Sequence, residues 1–398
     1  MSTCSWYHSH YGLEAWDGAA GPIVINGPAT ANYDVDLGPL VLNDWNHQTM
    51  ESLFPQAQKQ QAPPRLDNGL FNGQMTWQGQ GSYWSQTVTY GKTYRLRLIN
   101  TAIDTAWLFS IDNHQFTVIA ADFVPIKPFT TTVLSFGTGQ RHDIIFTANQ
   151  NSATSFWMRA YPDSFCSGIN TAQADNIRGI LYYQGGSGLP TTSPQAGYST
   201  STQCYGVPDN KLVPYVWKTV VPSINIVVET MDFIWNYTDN IQAWYLDGST
   251  FYSECKYFFG HVPFMQRLIL QIGNNPTALQ VINAAPSAPH FNQSQNVVMQ
   301  PIANTWQYIV IQTVNPIAHP IHLHGHDMYI VARGGGLFSQ QLPTLTWINP
   351  TRRDTEMLPA NGWMVIAFLS DNPGAWLLHC HIGTLCCRHV MTLYTNCI

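Results

Sequence analysis

Two short apolar segments rich in histidine constrain this chain more than any other feature. The first is His319-Pro-Ile-His-Leu-His-Gly-His326, and the second is Trp376-Leu-Leu-His-Cys-His-Ile382. Imidazole suits copper, zinc, iron and nickel, and a thiolate combined with imidazole suits a blue copper centre. One isolated histidine is more often a buried, hydrogen-bonded residue than a ligand. Six histidines and a cysteine in two such segments instead indicate a metal-binding constellation.

Both segments are typical of β-strands, in which alternate side chains point to opposite faces. The histidines predicted to share a face within a segment are His322, His324 and His326 in the first and His379 and His381 in the second. His319 and Cys380 have the opposite parity and are predicted to point the other way. Each segment can therefore contribute to two metal sites, one on either side.

The composition bounds the class of protein. The 398 residues are enough for two or three domains. The net charge is -6 without a basic run, which argues against a nucleic-acid partner. No apolar run approaches the ~20 residues of a membrane span, so no membrane association is expected. The first residues lack the basic start and apolar core of a signal peptide.

Most of the chain is predicted to form short strands. β-branched and aromatic residues alternate with polar ones, and Gly, Pro, Asn and Asp lie between the runs. The predicted strands are Leu40–Asp44, Thr87–Tyr90, Thr93–Ile99, Phe116–Ala121, Thr131–Ser135, Asp143–Thr147, Phe156–Arg159, Ile180–Tyr183, Ile224–Glu229, Arg267–Ile272 and Gln307–Val314. No long helix is expected, so the pattern predicts an all-β sandwich or barrel. The Ser/Thr/Pro/Gly-rich residues 186–211 are predicted to be a linker at a domain boundary.

Several other residues carry weaker signals. Cys166 and Cys204 lie in polar, loop-like surroundings and could form a disulfide in an oxidising compartment, with two free thiols as the alternative. Cys4 and Cys255 have no evident partner. The isolated histidines, interpreted as structural or surface residues, are His47, His114 and His142. The triplets that begin at Asn236 and Asn292 are glycosylation acceptors if the chain is secreted.

The two ends of the chain also attract attention. His8 and His10 have the spacing that lets both face one metal cluster from a strand, although this spacing alone is weak. Residues 383–398 carry three of the eight cysteines. Their Cys386-Cys-Arg-His389 cluster could be a further metal site, but we interpret the tail as an anomaly. A frameshift or misplaced splice site would explain it, since a shifted frame can encode a histidine near residue 385.

Four motifs give the sequence a resemblance to the multicopper oxidases, and most closely to fungal laccases of the ascomycete type. They are Trp6-Tyr-His-Ser-His10 with Gly21-Pro-Ile-Val-Ile25, Gly139-Gln-Arg-His-Asp143, the segment from His319 to His326, and Gly374-Ala-Trp-Leu-Leu-His-Cys-His-Ile382. The resemblance covers essentially residues 5–382. It implies tandem cupredoxin-like Greek-key β-sandwich domains with the first one truncated. Residues 1–28 would be the remnant of domain 1, residues 29–211 domain 2 and residues 212–398 domain 3.

The resemblance also implies an activity and a cofactor set. Enzymes of this family take single electrons from phenols or aromatic amines and reduce dioxygen to water. They use four coppers, one of type 1, one of type 2 and two of type 3. A secreted, extracellular monomer is expected. The alternatives are a copper-binding relative that is truncated or frameshifted and catalytically impaired, or the same chemistry on ascorbate or metal ions.

The family's ligand positions carry over residue by residue. His319 and Cys380 match the type 1 ligands, and His322 matches a type 2 ligand. The matches to the type 3 ligands are His8, His10, His324, His379 and His381. The His379-Cys380-His381 segment would then be the electron path between the type 1 copper and the cluster. His326 matches the motif without being a ligand in the family.

One acidic residue matches the family's substrate pocket. Asp122 follows Val118-Ile-Ala-Ala121 at the position where related enzymes place a carboxylate. A carboxylate there could accept the phenol proton as the electron leaves. An ordinary turn aspartate is the equal alternative.

The sequence also departs from the family pattern. The His-Trp-His-Gly motif, which supplies one type 2 and one type 3 ligand, is absent, and Leu385 replaces the second type 1 histidine. A trigonal set of two histidines and a cysteine makes a blue site. The chain is therefore expected to bind copper at Cys380 less tightly, to lack the normal blue colour and to oxidise laccase substrates poorly.

Overall fold

The computed structural model describes most of the chain. The described residues are 3–10, 12–57, 59, 64–151, 153–167, 171–198, 204, 206–222, 226–236, 241–246, 297–300, 302–338, 345–383 and 391–395. Within them the structure has 26 strands, the α-helix α1 (Met50–Ala57) and a single-turn 3-10 helix (Ala174–Asn176). The all-β prediction is therefore confirmed. No helix among the described residues is long and apolar enough to cross a membrane.

The chain divides into two compact units. The first comprises Met1–His10, Glu14–Leu53 and Pro63–Trp217. The second comprises Tyr11–Leu13, Phe54–Ala62 and Lys218–Ile398.

The first unit is a β-sandwich. Its strands are β1 (Thr3–His8), β2 (Ala20–Ile25), β3 (Val35–Trp45), β4 (Asn68–Phe71), β5 (Thr76–Trp77), β6 (Gln80–Gly81), β7 (Ser85–Val88), β8 (Thr93–Asn100), β9 (Trp107–Ile111), β10 (Phe116–Ala121), β11 (Val124–Thr131), β12 (Val133–Phe136), β13 (Arg141–Thr147), β14 (Ser155–Pro162) and β15 (Arg178–Tyr183). A six-stranded sheet in the order β11-β10-β13-β8-β3-β4 and a five-stranded sheet in the order β12-β9-β14-β15-β7 contribute to one buried apolar core. Because most neighbours are not consecutive in sequence, the chain crosses repeatedly between the sheets, as in Greek-key sandwiches.

The second unit repeats this layout. Its strands are β16 (Ile226–Asn236), β17 (Ile241–Leu246), β18 (Val297–Gln300), β19 (Trp306–Gln312), β20 (His319–Leu323), β21 (Met328–Gly335), β22 (Thr351–Arg353), β23 (Thr355–Leu358), β24 (Gly362–Leu369), β25 (Gly374–Cys380) and β26 (Met391–Thr395). The six-stranded sheet has the order β17-β16-β19-β24-β21-β22, and the five-stranded sheet has the order β18-β26-β25-β20-β23. Residues from both sheets form the core between them.

Buried polar contacts hold β1 against the first unit. The Arg97 guanidinium donates to the carbonyl of Thr3 at 2.8 Å, and the Cys4 thiol donates to the Asp143 carboxylate at 3.2 Å. Burial raises the pKa of the Cys4 thiol well above its usual value, and the neighbouring Asp143 carboxylate raises it further. The thiol is therefore neutral, and β1 is fixed at its first residues, the end opposite His8.

Most of the predicted strands are present, with three informative differences. Residues Thr131–Ser135 do not form one strand, because β11 ends at Thr131 and β12 begins at Val133. The Thr131 hydroxyl donates to the carbonyl of Val133 at 2.7 Å, a local bond that favours a bend over a continuous ladder. The predicted strand that begins at Thr87 instead begins at Ser85. The strand predicted at Arg267–Ile272 lies outside the described residues.

The predicted disulfide is confirmed. Cys166 and Cys204 are joined, with their Cα atoms 4.8 Å apart. The bond links Cys204, in the Ser/Thr-rich stretch, to Cys166 within the first unit, which continues to Trp217. The predicted domain bounds stay a prediction.

Candidate metal centre

The two histidine-rich segments are neighbouring strands of the second unit's five-stranded sheet. In the antiparallel pair of β20 and β25, Ile321 stands opposite Cys380 and His322 stands opposite His379. Directly opposed residues of such a pair project from the same face. His322 and His379 therefore share one face of the sheet, and Cys380 lies on the other face with Ile321.

The pairing continues one residue beyond β25. The amide of His381 donates to the carbonyl of Pro320 at 2.7 Å, so His381 stands opposite Pro320. Because Pro320 and His322 are two residues apart on one strand, His381 projects from the face of His322. By the same alternation, His319 projects from the face of Cys380.

Four imidazole rings gather on the first of these faces. We call His322, His324, His379 and His381 the histidine cluster. Neighbouring ring centroids in it are 4.7 to 5.9 Å apart. The Nε2 atoms of His324 and His379 approach to 3.0 Å. The rings are therefore close enough for several nitrogens to bind one ion or a compact group of ions.

Hydrogen bonds select the nitrogen that His322 and His379 can offer to a metal. The Nδ1 of His322 lies 2.7 Å from the carbonyl of Asp354, and the Nδ1 of His379 lies 2.9 Å from the carbonyl of Cys380. A carbonyl only accepts, so each Nδ1 carries the proton. The lone pair of each ring is then on Nε2, the form in which a second partner orients a metal-binding imidazole.

The opposite face is apolar and buried. His319 is 3% exposed and Cys380 is 2% exposed, among core residues such as Ile321 and Leu358. Burial lowers the pKa of His319 to about 3, so the ring is neutral at physiological pH. A neutral imidazole and a buried thiol form a donor set distinct from the histidine cluster.

The remaining histidine pair lies in the first unit. His8 ends β1, and its ring stacks on Trp6 with a centroid separation of 4.3 Å and on His10 with a separation of 4.3 Å. The stacking places both imidazoles on the same side of the chain. His8 is half-buried and His10 is exposed.

Comparison with known proteins identifies the family. Two multicopper oxidase family profiles match residues 36–186 and 262–394. Laccase-3 of Botryotinia fuckeliana is 40% identical over 409 residues, which cover 95% of this chain and 82% of that relative. The chain belongs to the multicopper oxidase family.

Other relatives agree with this membership. Laccase-1 of Botryotinia fuckeliana is 42% identical, and this multicopper oxidase chain spans 62% of its length. The crystal structure of a laccase from Botrytis aclada matches with a TM-score of 0.85 and 36% identity, covering 99% of this chain and 70% of that one. Fet3p, described as a multicopper oxidase that functions in iron import, matches with a TM-score of 0.78 at 20% identity and shows the shared cupredoxin-like fold.

The described residues fit the copper that membership of this family implies. Imidazole and thiolate are ligands that suit copper, and a cysteine with histidine is the donor combination of blue sites. The histidine cluster, with Nε2 lone pairs at His322 and His379, and the separate pair of His319 and Cys380 would serve two kinds of copper site. The assignment of individual ligands to individual coppers stays a prediction. Leu385 and the cluster at Cys386 lie outside the described residues.

Asp122 occupies the turn between β10 and β11. Its φ is +50°, a left-handed conformation that aspartate tolerates, and its side chain is buried. The carboxylate accepts the amide of Arg141 at 2.9 Å and lies 3.5 Å from the Arg141 guanidinium. These contacts describe a turn aspartate, and its part in proton transfer stays a prediction.

The prediction that His326 shares the face of His322 and His324 is wrong. β20 ends at Leu323, and His324 and Gly325 form a turn before β21. The strand alternation therefore stops before His326. Its ring contacts Phe368 and Trp376 at centroid separations of 5.3 and 5.9 Å.

Sequence reasoning missed the partners of His322. Besides the carbonyl of Asp354, the hydroxyl of Thr355 lies 3.0 Å from Nδ1 of His322 and donates to the Asp354 carboxylate at 3.0 Å. The run from Arg352 to Glu356 offered a signal. Four charged residues in five are unusual in a chain with only 10% charged residues, and they are all buried here.

The isolated histidines take the structural places predicted for them. His47 is exposed, with its Nδ1 2.7 Å from the Asp67 carboxylate. His114 is buried between the carbonyl of Asp112 and the hydroxyl of Tyr183. His142 is buried with its Nδ1 3.2 Å from the carbonyl of Ala120.

Proposed function

We propose that this protein is a laccase-like multicopper oxidase. It removes single electrons from phenols or aromatic amines and couples their oxidation to the reduction of dioxygen to water. The observation that carries the proposal is the register of β20 against β25, with Cys380 on one face and the imidazoles of His322, His379 and His381 on the other. Bound copper would supply the one-electron redox chemistry.

The ligands in this proposal follow the faces of the sheet. His319 and Cys380 hold the type 1 copper, and their buried, apolar surroundings keep water from the thiolate. On the other face, His322 is a type 2 ligand. The proposed type 3 ligands are His8, His10, His324, His379 and His381. The peptide that joins His379, Cys380 and His381 links the two sets of ligands covalently.

Oxidation of a phenol also releases a proton. Asp122 is the proposed acceptor by resemblance, with the charge of its carboxylate stabilised by the Arg141 amide and guanidinium. We further propose that the protein acts outside the cell as a secreted monomer. The Cys166–Cys204 disulfide supports an oxidising compartment.

Oxygen consumption tests this function. The chain is loaded with copper, and oxygen uptake is measured with a phenol and with an aromatic amine as the reductant. We expect slow uptake that depends on the reductant, because Leu385 stands where the family has a type 1 histidine. Cys380→Ser should abolish the uptake while leaving copper on the histidine cluster.

The opposite results have distinct meanings. A copper-containing wild-type chain that consumes no oxygen with any phenol would contradict the proposed activity and favour the catalytically impaired copper-binding relative. Uptake that is equally fast in Cys380→Ser would show that the electrons do not enter at this cysteine.

A further inference from the structure

The turn that carries His324 is held by residues near β25. Gly325 has a φ of +70°, and a Cβ added to it would overlap the Trp376 indole. The indole therefore packs directly on the Gly325 backbone, and only glycine fits both the conformation and the space. Trp376 belongs to the second histidine-rich segment, three residues before His379, so its side chain packs that segment against the first.

Hydrogen bonds reinforce this contact. The Asn372 side chain donates to the carbonyl of Gly325 at 2.9 Å, and the Trp376 indole N–H donates to the carbonyl of Asn372 at 2.9 Å. The amide of His324 donates to the carbonyl of Leu377 at 2.9 Å. The turn is thus tied to the loop before β25 and to the strand itself.

His326 completes the arrangement from the far side of the turn. Its Nδ1 lies 3.2 Å from the carbonyl of His324, so this nitrogen carries the proton and donates. Its ring meets the Trp376 indole edge to face, at an interplanar angle of 90°. The ring is only 9% exposed, and its Nε2 has no hydrogen-bond partner among the described residues.

Burial of a polar ring is unfavourable unless its hydrogen bonds compensate. Core packing alone would be served by an apolar side chain between Phe368 and Trp376. The Nδ1–H of His326 donates to the backbone of His324, whose ring belongs to the histidine cluster. The hydrogen bond to the His324 carbonyl therefore explains why residue 326 is a histidine and not an apolar residue.

We infer that His326 is a positioning residue that holds His324 in place for metal binding. It donates to the His324 carbonyl and packs on Trp376, which fixes the turn relative to His379. It is not itself a ligand in this inference. The inference rests on the proposed function, because it assumes that the histidine cluster binds copper.

The test compares two substitutions at this position. His326→Phe keeps an aromatic ring but removes the donor, whereas the side-chain amide of His326→Asn can take the place of Nδ1–H. Copper loss to a chelator is measured for the holoprotein, and amide hydrogen exchange at residues 323–326 is measured for the metal-free protein. We expect copper loss to be roughly 10-fold faster in the Phe variant, the lower end for a residue that supports a ligand, and near the wild-type rate in the Asn variant.

A third variant guards against a simple folding defect. Asn372→Ala removes the bond to the Gly325 carbonyl at a less buried position, and we expect a smaller acceleration of copper loss with an unchanged unfolding temperature. If wild type and His326→Phe lose copper equally fast and exchange alike, the inference is overturned and the proposed function stands. If the wild-type chain binds no copper, both are overturned.

Discussion

At His322 and His379, one hydrogen bond decides which ring nitrogen can bind a metal. Each Nδ1 donates to a backbone carbonyl, from Asp354 and from Cys380, and Nε2 keeps the lone pair. Sequence parity could predict the faces on which these rings lie. It could not predict the tautomers, because Asp354 directly precedes β23, and the pairing of β23 with β20 is not encoded in local spacing.

His114 gives a prediction for the dependence of stability on pH. Burial lowers its pKa below the usual 6.5, so the folded chain resists protonation while the unfolded chain accepts a proton as the pH falls. The titration of His114 therefore leaves the free energy of unfolding unchanged above about pH 6.5. Below that value it lowers this free energy, by about 1.4 kcal/mol for each pH unit between the two pKa values. We expect His114→Gln, which keeps an acceptor for the Tyr183 hydroxyl, to lose less stability than wild type on acidification.

Urea unfolding at about pH 7 and about pH 5 measures the effect, since the unperturbed histidine pKa lies between them. The difference between wild type and variant isolates His114 from other titrating groups. Equal losses of unfolding free energy in both proteins would show that His114 does not contribute.

At the scale of strands, alternation in the sequence was a sound guide wherever a strand persisted. β10 has the predicted bounds, Phe116–Ala121, and both histidine-rich segments form strands. The prediction was wrong at His326, where Gly325 turns the chain with a positive φ and the alternation ends. The side-by-side placement of β20 and β25 joins distant residues, so it could not be derived from local pattern.

The Cys166–Cys204 disulfide should stabilise the first unit. It spans a sequence separation of 38 residues and restricts the unfolded chain. Replacing both cysteines with serine is expected to lower the unfolding free energy by about 2–4 kcal/mol. The measurement is urea denaturation of the double variant beside wild type, with Cys4→Ser as a control for loss of a buried thiol. An unchanged midpoint in the double variant would contradict a stabilising role.

At the scale of the whole molecule, each compact unit is a two-sheet sandwich with its own core. The strand pattern and the four motifs were enough to predict this class and the multicopper oxidase family. The contacts that join residues 213–215 to the first unit could not be predicted from the sequence. The amides of Lys127 and Tyr215 form backbone hydrogen bonds of 2.8 Å between β11 and residues 213–215. Backbone contacts of this kind do not depend on the composition of the segment.

The central claim is that opposite faces of β20 and β25 serve two separate copper sites. X-ray absorption with elemental analysis of the copper-loaded wild type, Cys380→Ser and His379→Ala tests it most directly. We predict copper bound to both sulfur and imidazole in wild type and loss of the copper–sulfur signal alone in Cys380→Ser. In His379→Ala we predict loss of the copper that has no sulfur ligand, with the copper bound by Cys380 and His319 retained. Loss of all copper in Cys380→Ser, or a wild-type chain without copper–sulfur coordination, would contradict the account.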